Sequence, residues 1–221
     1  MLAEQLLLLA LDPEKGRPGL GKKDALEAGL CGALVSELAL RKVVAVAEGR
    51  AVVVDARPSG DDLLDEVVRL LAEDKGRART LKRQLKCVRR GLGDVVGRVA
   101  QPLVAGGVVR EEVNRVAGVV SATRYPMASD AARRLRDEVR AWLGGDASAG
   151  AAPDARRACL VALLGASKLL GTVADGVAER RRASARAKSA MEQEPAARAV
   201  KAIVDEVHAT NLAAAAAVFG A

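Results

Sequence analysis

A mainly α-helical fold is predicted by three features of this sequence. Apolar residues recur three and four positions apart over long stretches, the periodicity of an amphipathic helix. The core must be built from Leu, Val and Ala, since Trp142, Tyr125 and Phe219 are the only aromatics, and leucine and alanine favour helices. Valine runs that break this pattern occur in only two places, each around a turn signal, so two β-hairpins are expected on an otherwise helical frame. With 50% hydrophobic and 29% charged residues in 221, the chain has the apolar surface to offset its ordering entropy. One compact domain over residues 1–221 is the expectation.

The first element is a short apolar helix over 2–11, ended by Asp12-Pro13 and a glycine-rich loop over 16–21. Its apolar run lacks the basic flank and small-residue cleavage site of a signal peptide. Asp24 is placed to cap a second helix reaching Leu40. The first hairpin falls at 43–54, two β-branched runs around Glu48-Gly49-Arg50. Ser59-Gly60-Asp61-Asp62 supplies cap residues for a helix with Leu63, Leu64, Val67, Val68, Leu70 and Leu71 on one side. Leu81, Leu85, Val88, Leu92, Val95 and Val99 predict a further helical stretch over 80–100 with one core face. The second hairpin is expected at 108–121, its tip at 113–117. Helices over 131–143, 155–177 and 195–218 follow, with a small-residue loop at 144–153 and a basic solvated helix or linker at 180–188.

The formal charge of +7 attracts phosphates of any kind and carries no information about fold. Cys31, Cys87 and Cys159 are isolated and odd in number, so neither a disulfide framework nor a zinc site is expected, and a reducing cytoplasm is the natural setting. No run approaches the roughly 20 apolar residues that span a bilayer, so any membrane contact is peripheral.

Gly16-Arg17-Pro18-Gly19-Leu20-Gly21-Lys22-Lys23 matches the spacing of a phosphate-binding loop but has lysine where Ser or Thr would ligate Mg²⁺, and no βαβ alternation surrounds it. His208, the sole histidine, has no Ser or Cys nucleophile nearby in sequence and reads as a packed or solvated side chain. No catalytic residue, metal or cofactor is therefore expected, and the protein is read as a non-enzyme. Within 80–100, Lys82, Lys86 and Arg89 stand over one another with Arg90 beside them, and no acid falls between Lys82 and Arg90. By pattern alone it reads as the solvated charged face of an amphipathic helix; since such faces usually mix signs, the alternative is an anion site, for which this ridge is the candidate. With almost no aromatics to stack bases, and no groove-reading motif, nucleic acid is not the expected partner.

The order of segments carries a resemblance. Leu2-Ala3-Glu4-Gln5-Leu6-Leu7-Leu8-Leu9-Ala10-Leu11 and the glycine loop are followed by Gly29-Leu30-Cys31-Gly32-Ala33 and Glu37-Leu38-Ala39-Leu40-Arg41. Gly60-Asp61-Asp62-Leu63-Leu64-Asp65-Glu66, Leu85-Lys86-Cys87-Val88-Arg89 and Gly107-Val108-Val109 come next. In this order they resemble the Golgi phosphoprotein 3 family. The resemblance implies a mostly α-helical domain that binds phosphatidylinositol 4-phosphate in a basic pocket and inserts a hairpin tip into the bilayer. Lys86 and Arg89 align with two basic residues of that pocket, with Lys22, Lys82 and Arg90 as supporting cations. The pocket's tryptophan falls at Lys22 and another pocket arginine at Cys31, so the resemblance implies phosphate binding with altered headgroup selectivity. The inserting hairpin corresponds to Val113-Asn114-Arg115-Val116-Ala117, with Val113, Arg115 and Val116 as the expected, shallow membrane contacts. Together with the composition and the immediate start on the first helix, this implies a bacterial member, peripheral on the cytoplasmic membrane face. The alternative is a protein-interaction scaffold that has lost lipid specificity, with partners the sequence does not name.

Overall fold

The protein is described by a computed structural model covering residues 1–73, 80–116, 119–144, 155–193 and 195–219. It is mainly α-helical, as expected, with two small antiparallel sheets. The helices are α1 (Leu2–Ala10), α2 (Lys23–Leu40), α3 (Asp62–Glu73), α4 (Leu81–Leu92), α5 (Val95–Ala105), α6 (Ala131–Gly144), α7 (Ala155–Ala166), α8 (Gly176–Gln193) and α9 (Pro195–Phe219). The strands are β1 (Val44–Ala47), β2 (Arg50–Val53), β3 (Glu112–Val116) and β4 (Val119–Arg124).

Leucine on every side of α1 and along most of α2 dictates where these helices sit, because a helix apolar all round finds no solvent-facing side. Leu2, Leu6, Leu7 and Leu9 of α1 and Leu26, Leu30, Leu34 and Leu38 of α2 are fully buried. Around α2 pack α1, α7, α9, α4 and α5, which makes it the axis of the fold. Gly29 permits the closest approach: a Cβ there would lie 2.2 Å from Ser167 Oγ at the end of α7.

Burying α2 also buries Glu37, whose carboxylate is fully satisfied. It accepts from the Leu2 amide at 2.9 Å, Arg41 Nε at 3.0 Å, and both Arg156 terminal nitrogens at 2.7 and 2.9 Å. Three elements thus meet on one carboxylate, which ties the start of α1 and the start of α7 to the end of α2.

In the first hairpin Val44 pairs with Val53 and Ala47 with Arg50 across Glu48-Gly49. It is fastened to α4 by Gln84, whose buried side-chain amide pairs with the backbone of Ala51 at 2.7 and 2.9 Å as an extra strand would. Asp61 caps α3, accepting from Leu63 and Leu64 at 3.1 and 3.0 Å.

Four expectations are corrected. Asp24 does not cap α2: Lys22 holds that position without a side-chain cap, and Asp24 lies in the first turn, beside Arg89. The stretch 80–100 is two helices, because Gly93 turns at φ 67° and Asp94 caps the next helix by accepting from Gly97 at 3.0 Å. The stretch 155–177 ends its first helix at Ala166, and Lys168 takes φ 58° before a 3₁₀ turn over Leu170–Thr172. The second hairpin lies a few residues later than expected, its strands at Glu112–Val116 and Val119–Arg124, so 113–116 of the expected tip belong to β3 and 117 lies outside the described residues. Most of the loop read at 144–153 also lies outside them. Among the described residues no helix is long and apolar enough to cross a membrane.

Candidate functional site

The basic ridge forms one wall of an open groove of about 500 Å³ between α2, α4 and α9. Helical periodicity puts it there. Leu81, Leu85, Val88 and Leu92 are buried and hold α4 to the core, leaving Lys82, Lys86, Arg89 and Arg90 exposed along the opening. Thr80 caps the start of α4, and Arg89 and Arg90 sit in its last turn, where helix polarity favours cations. From α2 the groove receives Glu27, Ala28 and Cys31, and from α9 Val207 and Thr210.

Its electrostatics are uneven. Arg89 is already engaged by α2, with Nε 3.3 Å from a Glu27 oxygen and a terminal nitrogen 3.4 Å from Asp24. Lys82, Lys86 and Arg90 have no ion-pair partner among the described residues. At the floor Cys31 is almost fully buried, and burial pushes its thiol pKa up to about 12 despite the lowering influence of Arg89. The floor is therefore neutral. An anion entering here meets Lys82, Lys86 and Arg90, unpaired among the described residues, the Arg89–Glu27 pair with its carboxylate, and an apolar base formed by Ala28, Cys31, Leu85 and Val207.

Four of the five expected cations, Lys82, Lys86, Arg89 and Arg90, are brought together by the fold. Lys22 is not among the residues lining this groove. It lines a separate depression with Asp12, Gly19, Arg136 and Arg140, standing where the loop from α1 enters α2. The position where the resemblance placed a pocket tryptophan thus opens elsewhere, while the one where it placed an arginine, Cys31, does line the groove. Of the expected membrane contacts, Val113 is half exposed but pairs with Thr123 near the hairpin base, and Arg115 and Val116 lie in the last two pairs of the sheet.

Sequence reasoning missed Glu27 and the α9 contribution. Glu27 follows Lys23 by one helical turn, a spacing that reads as an ordinary surface pair. Val207 and Thr210 are more than a hundred residues from the ridge and carry no local sign of it. The glycine loop holds its own backbone hydrogen bonds. The Gly16 amide donates to the Asp12 carbonyl at 2.9 Å and the Lys22 amide to the Gly19 carbonyl at 3.0 Å, while the amides of Glu14 and Lys15, just before the motif, donate to Asp12 Oδ1 at 3.0 and 2.8 Å. His208 is exposed and shares a depression with Ser184, Lys201 and Asp205. No hydrogen bond joins His208 to Ser184 among the described residues. Nor do the described residues contain a group of three His, Cys, Asp or Glu side chains that could hold a metal.

Among the curated proteins compared with it, none matches the chain. The family profile described as Golgi phosphoprotein 3 (GPP34) matches residues 2–207, which takes in α1 through the first half of α9 and the groove residues other than Thr210. On a match of that extent, the chain belongs to the Golgi phosphoprotein 3 family.

Proposed function

We propose that this protein is a peripheral membrane protein that docks from the cytoplasm on anionic bilayers by taking a lipid phosphate into the α2–α4–α9 groove. The observation that carries this reading is the convergence of Lys82, Lys86, Arg89 and Arg90 on one open cavity with a neutral, apolar floor. Lysines offer point charges and arginines offer paired donors, both suited to phosphate oxygens, and the low-dielectric floor strengthens each contact. Family membership supports the same reading. With Cys31 at the floor and Lys22 turned away, the groove recognises phosphate, as in phosphoinositides and other anionic lipids, without a built-in preference for one phosphate position. It is a binding site with no catalytic step, and neither nucleic acid nor a cofactor is part of it.

The test is sedimentation with anionic vesicles. Each cation at an anionic surface contributes on the order of 1 kcal/mol, so Lys86→Ala with Arg89→Ala is expected to weaken binding about thirtyfold. Both side chains are exposed, so the circular dichroism of the variant should match the parent. Arg181→Ala with Arg182→Ala removes the same charge from the exposed side of α8 and should cost much less. Equal losses would reduce the groove to part of a positive surface. No loss in either would favour the protein-interaction scaffold.

A further inference from the structure

We propose that the loop over residues 12–21 is a second membrane-contact element, with Leu20 as its inserting side chain; this rests on the membrane-docking reading above. Leu20 is wholly exposed, whereas the other large exposed hydrophobics among the described residues, such as Val54, Val177 and Leu212, keep part of their surface covered. An apolar side chain standing clear of the protein gains only when another apolar phase covers it.

Its surroundings name that phase. Lys15 and Arg17, both exposed, share a depression with Leu20, and the partly exposed Lys22 and exposed Lys23 follow it within three residues of chain. Of the nearby acids, Asp12 is turned inward to the loop's own amides, Asp24 is exposed but lies 3.4 Å from Arg89, Glu27 lies 4.0 Å from Lys23, and Glu14 is exposed without a cation partner among the described residues. A protruding leucine within a collar of cations matches the layering of an anionic bilayer surface, with phosphate at the level of the cations and acyl chain beneath. A protein partner of mixed charge would not call for this arrangement.

The loop is also held in shape, so insertion does not first have to order it. Asp12 N donates to the Arg17 carbonyl at 3.0 Å and Lys22 N to Gly19 at 3.0 Å. Tyr125 N donates to Gly16 at 2.7 Å and Met127 N to Pro13 at 2.9 Å, which pins the loop to the chain just after β4. Gly16 must lack a side chain for this contact, since a Cβ would fall 2.1 Å from Pro126 N, and its φ of 60° is one glycine adopts readily. On its other side the loop runs directly into α2, whose first turns carry Asp24 and Glu27 to the groove. Three residues lie between Leu20 and Asp24, so the loop tip is at most about 14 Å of chain from the acid that pairs with Arg89 of the groove.

Leu20→Ala and Leu20→Trp in the otherwise intact chain test this on mixed phosphatidylcholine–phosphatidylglycerol vesicles. Losing most of a leucine side chain from the interface should weaken binding about tenfold in Leu20→Ala with the fold unchanged. In Leu20→Trp the new tryptophan should shift to the blue on vesicle binding and be quenched by acyl-brominated lipid, with Trp142 of the parent protein as the control. If the vesicles bind Leu20→Trp but its emission neither shifts nor is quenched, the loop does not insert and the proposal is overturned, even where Lys86→Ala with Arg89→Ala still abolishes binding. If Leu20→Ala weakens binding and Lys86→Ala with Arg89→Ala does not, the loop stands as the contact and the groove reading fails. If the parent protein binds no anionic vesicle, both fail.

Discussion

Two glutamates on α2, ten residues apart, have opposite consequences. Glu37 is fully buried, which by itself would raise its pKa, but the Arg156 guanidinium, the Leu2 amide and Arg41 outweigh burial and hold it at about 2 against an ordinary 4.5. A folded-state pKa below the unfolded value stabilises the fold above pH 4.5, and that stability is lost as pH falls toward 2. The depression corresponds to about 3 kcal/mol. Urea denaturation of Glu37→Gln at pH 7 should show a loss of that order, and the parent's fall in stability between about pH 5 and 2 should become shallower in the variant. Glu27 instead occupies a binding groove. Its carboxylate shares Arg89 and lies where an incoming phosphate would meet it, so Glu27→Gln should strengthen binding to anionic vesicles about fivefold, the worth of one surface charge. A decrease would mean that Glu27 orients Arg89 and does not compete for it. The sequence showed the segment around Glu37 as a family-like feature, but neither carboxylate's role, because burial and pairing across 119 residues leave no local pattern.

At the scale of elements, periodicity located nearly every helix and missed where helices stop. The stripe from Leu81 to Val99 runs across Gly93-Asp94 with its spacing intact, so the apolar pattern continued where the backbone did not. The break was written in a different chemistry: a glycine at φ 67° followed by an aspartate that caps Gly97. It matters to the site, because Gly93 itself lines the groove. Any side chain at Gly93 is strained whatever the free space, so Gly93→Ala should cost about 1–3 kcal/mol. A thermal melt would measure it, and an unchanged Tm would mean that the α4–α5 joint adapts. Ser167-Lys168 ended α7 in the same hidden way. The second hairpin was displaced because valines continue from 108 into 116, while only the backbone pairing decides where strand begins. As a result the membrane contact expected at Val113 lies near the hairpin base, whereas Leu20, in a loop read as punctuation, stands free.

For the whole molecule the question is whether a charge of +7 acts as a diffuse field or through the groove, since both attract the same membrane. The ridge was legible because its cations share one helix face. Its convergence with Cys31, Val207 and Thr210 was not, because that depends on how three distant helices pack. Salt separates the two modes of attraction. Between about 0.1 M and 0.5 M the screening length falls from about 10 Å to about 4 Å, which removes interactions across solvent and spares groups in contact. Arg181 and Arg182 lie on the exposed side of α8, outside the groove, so they act on a membrane only at range. Lys86 and Arg89 line the cavity and touch whatever fills it. At low salt the variants lacking each pair should both bind less well than the parent, since each has lost two charges. As salt rises the deficit of Arg181→Ala with Arg182→Ala should shrink toward zero, while that of Lys86→Ala with Arg89→Ala should persist. Vesicle sedimentation across a salt series measures both curves, and deficits that decline together would show that the groove cations contribute only through the field.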